Sequence, residues 1–205
     1  MQMLGRALVA VLAGVVAPAA AQESGFEIGV RGGAATLLGT NPDRTRINAI
    51  APLWLEIGFR PAESVGLGAY FQYAFGQPAG GQPGSILCPP GSSCSGSIIK
   101  TGLELLIRPF SGERFLPWIG VAGGLAFGRL GIHLPPYQSG GVTITNTSTT
   151  AHSTSYDLIA QAGVDVRVGR IVSVGPYAAL TFTGPPSSST SATRLEGGIR
   201  MSLTP

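Results

Sequence analysis

The chain has 205 residues, of which 44% are hydrophobic and only 11% charged, with 31 glycines and a formal net charge of +3. So weak a charge, without any basic cluster, excludes a nucleic-acid-binding surface. No apolar stretch beyond the N-terminus reaches the roughly 20 residues that a membrane-spanning helix needs, while the length suits one domain with a real core.

The N-terminus reads as a separate segment. Met1 to Arg6 is short and positive, Ala7 to Ala17 is apolar but too short to span a bilayer, and Ala19-Ala20-Ala21 offers small residues for cleavage. That order predicts a secretory signal peptide over 1–21, cut between Ala21 and Gln22. The domain is then 22–205, and loss of Arg6 lowers the formal charge from +3 to +2.

Eight strands follow, each with one polar and one apolar parity, since successive strand side chains point to opposite faces. The first, 25–34, sets Glu27 and Arg31 against Phe26, Ile28 and Val30. The second, 47–60, sets Glu56 and Arg60 against Leu53, Leu55, Ile57 and Phe59. The third, 64–76, sets Gln72 and two glycines against Leu67, Phe71, Tyr73 and Phe75. The fourth, 97–109, is the clearest: Lys100, Glu104 and Arg108 oppose Ile99, Leu103, Leu105 and Ile107. In the fifth, 117–130, Gly120, Ala122, Gly124 and Ala126 oppose Ile119, Val121, Leu125 and Phe127. The sixth, 154–168, carries Asp157, Gln161, Asp165 and Arg167 opposite Leu158, Val164 and Val166. The seventh, 171–183, and the eighth, 191–203, close the series, the last with Arg194, Glu196 and Arg200 opposite Leu195, Ile199 and Met201. Helical periodicity is not sustained anywhere after residue 22.

Connection lengths alternate. Pro61-Ala62-Glu63, Phe110 to Leu116 and Gly169-Arg170 are short; Ala35 to Arg46, Gln77 to Gly96 and Gly131 to Ser153 are long, with Gly184 to Thr190 the shortest of that set. One tight-turn end and one loop end are what an eight-stranded antiparallel up-and-down β-barrel shows. The second long loop holds Cys88 and Cys94. In an exported chain a disulfide across so small a loop is expected, with two free thiols as the alternative. Two thiols without nearby His or acid make no tetrahedral metal set.

Parity alone does not say which face looks inward. A soluble ligand-binding barrel puts the apolar face inside; three features favour the inverse. Gly and Ala interleave the charges, which a narrow lumen requires and a wet surface does not. The polar parity is nearly balanced, with Glu27, Glu56, Glu104, Asp157, Asp165 and Glu196 against Arg31, Arg60, Lys100, Arg108, Arg167, Arg194 and Arg200, as an interior ion-pair network would be. The loops are long at one end only. The expectation is a transmembrane barrel with a charged, packed lumen and an apolar belt covered by lipid. Tyr73, Phe75, Phe110, Phe115, Trp118, Tyr156, Tyr177 and Phe182 lie near strand ends as candidates for interfacial girdles. Trp54 and Tyr177 fall on the polar parity and are expected to plug the lumen.

These patterns resemble the small outer-membrane β-barrel superfamily: the transmembrane domain of outer-membrane protein A, the opacity proteins and porin-family proteins of similar size. The segment Glu196-Gly197-Gly198-Ile199-Arg200-Met201-Ser202-Leu203 matches the C-terminal assembly signal of such barrels, although this chain ends Leu203-Thr204-Pro205 rather than on an aromatic residue. The resemblance implies a monomer in the outer membrane of a Gram-negative cell, in contact with lipid and lipopolysaccharide and inserted by the barrel-assembly machinery. It implies no cofactor.

Three functions are compatible with this pattern. A structural or surface-interaction role, with the long loops facing an extracellular ligand, ranks first. A narrow passive channel for small solutes is second, disfavoured because eight strands leave little lumen once side chains fill it. A lipid A-modifying enzyme is third: His152 precedes Ser153, Ser155 and Asp157, but a serine near a histidine is expected in so hydroxyl-rich a stretch. No catalytic, metal or cofactor residue is assigned.

Overall fold

The computed structural model describes residues 25–38, 47–78, 93–110, 114–134, 137–139, 142–144, 147–184 and 192–204. The expected signal peptide, with Ala21 and Gln22 at its cleavage point, lies outside the described residues, as do Cys88 and the Cys94 side chain.

Eight long strands close into an antiparallel ring. They are β1 (Gly25–Leu38), β2 (Ile47–Ala62), β3 (Val65–Pro78), β4 (Ser93–Ile107), β5 (Phe115–Leu134), β8 (Thr147–Arg167), β9 (Val172–Gly184) and β10 (Ala192–Leu203). A small hairpin, β6 (Tyr137–Ser139) with β7 (Val142–Ile144), interrupts the connection between β5 and β8. Each ring strand pairs with its chain neighbours, and β1 pairs with β10 to close the barrel, Arg31 opposite Arg200. All eight expected strands are present. Closure leaves no long sheet edge inside the bilayer, where an unpaired backbone group would be costly.

The boundaries depart from expectation at the loop end. Ala35 to Leu38, Ser93 to Gly96, Gly131 to Leu134 and Thr147 to Ser153 are strand rather than loop. Their Gly, Ser and Thr content suggested irregular structure, but partner strands supply their ladder hydrogen bonds and tertiary pairing overrides the weak local preference. The hairpin β6–β7 was not foreseen.

Alternation sorts the faces as expected. Glu27, Arg31, Glu56, Lys100, Glu104, Arg108, Asp157, Asp165, Arg194, Glu196 and Arg200 are buried, whereas Phe26, Leu55, Phe71, Leu103, Val121, Leu158 and Ile199 are exposed on the outer wall. Leu103, at 72% exposure, is typical of a belt that only lipid would cover. Two rims of exposed aromatics bound it. Tyr73, Phe75, Phe127, Tyr156 and Phe182 stand toward the loop end; Phe26, Phe59, Phe110 and Phe115 stand toward the tight turns. Phe115 and Phe127 lie on one strand, 12 residues apart. At ~3.3 Å per residue and a tilt of about 40° that is roughly 30 Å along the barrel axis, the scale of an outer-membrane belt.

Candidate functional site: the barrel lumen

The tight-turn half of the lumen is an ion-pair lattice. Arg200 at the centre donates from Nη2 to Glu27 at 2.8 Å, from Nε and Nη2 to Glu56 at 3.1 Å, and from Nη1 to Asp165 at 2.5 Å. Glu27 also accepts Nη2 of Arg108 at 2.9 Å and pairs with Nε of Arg60 at 3.3 Å. Arg31 pairs with Glu56 through Nε, reaches Glu104 through Nη2 at 3.0 Å and donates to Gln161. Gln161 in turn donates to Glu104 at 3.2 Å. Four carboxylates (Glu27, Glu56, Glu104, Asp165) thus meet four guanidiniums (Arg31, Arg60, Arg108, Arg200). Arg31 and Arg200 are direct cross-strand partners, a placement that would repel in isolation. It is stabilised because Glu56 bridges the two and each has further carboxylates of its own. Buried charges persist only when paired and hydrogen-bonded in this way.

Aromatic residues close the middle. The Arg31 guanidinium lies 5.1 Å from the ring centroids of Trp54 and Trp118 and 5.5 Å from that of Tyr177, and Arg200 lies 5.2 Å from Trp118. At these separations a desolvated cation is attracted by the ring faces, at roughly 2 kcal/mol each in favourable cases. Trp54 packs on Tyr70 with centroids 5.0 Å apart. Toward the loop end, Glu196 accepts Nε1–H of Trp54 at 2.5 Å, the Tyr177 hydroxyl at 2.6 Å and the Gln72 amide at 3.0 Å, while Lys100 pairs with Asp157 at 2.7 Å.

Small residues make room for this filling. A Cβ on Gly163 would sit 2.6 Å from the Trp118 ring, and one on Gly29 would sit 2.7 Å from a Glu56 oxygen. One void of about 10 Å³, beside Glu27, Glu56 and Arg200, holds at most a single water.

The structure brings twelve of the thirteen expected lumen charges to the inner wall; Arg60 is half-buried, and Arg194 is buried and partnered. Arg167 is the exception. It has the inner parity, but it is the last residue of β8 and stands exposed beyond the wall, so it does not join the packed lattice. Trp118 also departs from expectation. It is buried in the lumen rather than set in a girdle, because it shares its parity with Gly120 and Ala122. Tyr177 lies in the lumen with Trp54, as its parity required. Tyr70, Leu106 and Ile159 were missed as lumen residues, although each shares a parity with neighbouring Gly, Glu or Asp positions.

The histidines do not assemble a triad among the described residues. His133 pairs with Ser148 and His152 with Arg129, four rungs away along the β5–β8 ladder. His152 and Asp157 lie on opposite faces of β8, and Asp157 is committed to Lys100.

No family model matches the chain, and no curated protein matches it either. Solved structures do. Neisserial surface protein A superposes with a TM-score of 0.58 at 13% identity, covering 89% of this chain and 99% of that one. Ail, the attachment invasion locus protein of Yersinia pestis, gives 0.53 at 11% identity, covering 89% of this chain and all of its own. Ail in complex with the heparin analogue sucrose octasulfate gives 0.54 at 12%, with the same coverage. Identities this low speak to fold alone: with its closed eight-strand ring, the chain folds like these bacterial outer-membrane β-barrels.

Proposed function

We propose that this protein is an outer-membrane barrel with a shut lumen, a rigid mount that presents its loop end for interaction at the cell surface. The observation that carries the reading is the cross-lumen lattice centred on Arg31 and Arg200 and sealed by Trp54, Trp118 and Tyr177. A solute would have to part several buried ion pairs, and their attraction is strong where water is scarce. The loop end supports the second half of the reading. Beyond Phe127 and Tyr156, β5 and β8 run on as a paired ribbon to Leu134 and Thr147, with Ser148 to Thr154 exposed. The structural neighbours include one protein named for the cell surface and one named for attachment and invasion.

The test is electrical and cellular. Purified full chain in planar bilayers is expected to give no steady single-channel current, and cells producing it should show a heat-modifiable band in the outer-membrane fraction. Steady currents from the intact protein would replace this reading with the narrow-channel one. A soluble, heat-insensitive product would remove the membrane reading altogether.

A further inference from the structure

The tight-turn mouth of the barrel holds a second cluster, which shares Arg60 and Arg108 with the lumen lattice and adds Arg167 and Arg170. A cavity of about 80 Å³ opens there, several times the roughly 10–15 Å³ that holds one water. Four arginines line it and, among the described residues, no carboxylate does: Arg60 near the end of β2, Arg108 just after β4, Arg167 at the end of β8 and Arg170 in the β8–β9 turn. Glu27 stands behind Arg60 and Arg108 and is shared with Arg200. Of the other described acids near this end, Glu63 is exposed on the β2–β3 turn.

Arg108 supplies the second observation. Its side chain is 5% exposed, and Glu27 takes only Nη2. Its Nε and Nη1 are buried and lack a hydrogen-bond partner among the described residues. A buried guanidinium with donors unmet is costly, and an acceptor in the adjoining cavity would relieve it. Hydroxyls complete the wall. Ser173 and Ser202 also line the cavity and lie 2.7 Å apart, so one donates to the other and the second retains a proton to offer. The frame is tied down by backbone bonds from Thr204 to Ile171 at 2.8 Å and from Arg167 to Arg114 at 2.9 Å.

We propose that this mouth is an anion site that takes a phosphate group. Several positive forks and a hydroxyl converging on a small cavity match an oxyanion with more than one negative charge and acceptors in several directions, and arginine forks suit phosphate in particular. The phosphate could be inorganic or a lipid headgroup; the chemistry at the site is the same.

The experiment titrates inorganic phosphate, at low ionic strength, into the full chain refolded in a phosphate-free non-ionic detergent and follows it by calorimetry. One saturable site is expected. The double variant R167Q/R170Q removes two exposed arginines outside the lattice, so its heat-modifiable gel shift should persist. Its affinity should fall by at least about tenfold, the effect of losing one charge-assisted hydrogen bond. A parallel titration with a short-chain phosphatidic acid separates the sources: tighter binding than inorganic phosphate assigns the site to a headgroup, equal or weaker binding to a free anion. Absence of saturable binding by either probe, or undiminished binding in the folded double variant, would overturn the proposal.

Discussion

Strands β5 and β8 pass through two surroundings, and their sequences change where the surroundings do. Between the aromatic rims they alternate strictly: Ile119, Val121, Leu125 and Leu158 face out, while Trp118, Ala122, Asp157, Gln161 and Asp165 face in. Beyond Phe127 and Tyr156 the same two strands stay paired rung for rung. There Ser148 to Thr154 are exposed on both parities, and five of these seven residues are Thr or Ser. Backbone pairing is therefore indifferent to side-chain alternation. Alternation is imposed where one face meets lipid and the other a packed lumen, and it lapses along 148–154 of β8, where both faces are exposed, although Leu130 on β5 stays buried. The lumen is held by specific partners; the ribbon is held by its ladder.

That contrast orders the expected effects of substitution. The largest belongs to Arg200→Met in the lattice. It leaves Glu27, Glu56 and Asp165 without their shared cation and should destabilise the barrel by about 3–5 kcal/mol, the range for breaking a buried pair from one side. Urea unfolding from phospholipid vesicles would measure it; a loss below ~1 kcal/mol would mean that the lattice is wet rather than packed.

Next is the outer belt. Leu103→Arg places a charge in the lipid-facing wall, level with Gly123 and Leu158 on the neighbouring strands. It should cost about 2–4 kcal/mol, the figure for arginine near the bilayer midplane. The same vesicle assay applies, and a neutral result would place Leu103 outside the belt. The smallest effect belongs to the ribbon: Thr150→Lys, exposed and lying beyond the last β8–β9 rung at Tyr156, should change stability by no more than about 0.5 kcal/mol. A large loss there would show that the ribbon is part of the cooperative barrel and would blur the contrast.

Much of this molecule can be read from parity. The strand count, the two faces and most of the charge set of the lumen follow from residues two apart. Trp118 shows parity outweighing position: its spacing from Gly120 and Ala122 puts it inside, although its place near a strand end suggested a girdle. Arg167 shows the rule's limit, because parity says which way a side chain points and not where the wall ends. The strand ends at 93–96, 131–134 and 147–153 were illegible for a related reason. Polar, glycine-rich residues carry no preference strong enough to announce pairing, so the partner strand decides.

The sequence by itself determined the class of the fold and the sense of inside and outside, since alternation is a local property and small residues among balanced charges betray a narrow interior. Only the tertiary structure decided which charge meets which. Arg31 lies 25 residues from Glu56 and 73 from Glu104, and Arg200 lies 173 from Glu27, so their pairing waits on ring closure and register. It also decided that Arg60, Arg108, Arg167 and Arg170, spread over four turns and strand ends, converge on one cavity. Long-range convergence of this kind leaves no periodic trace in a chain, because it depends on the order and stagger of strands rather than on the spacing within any one of them.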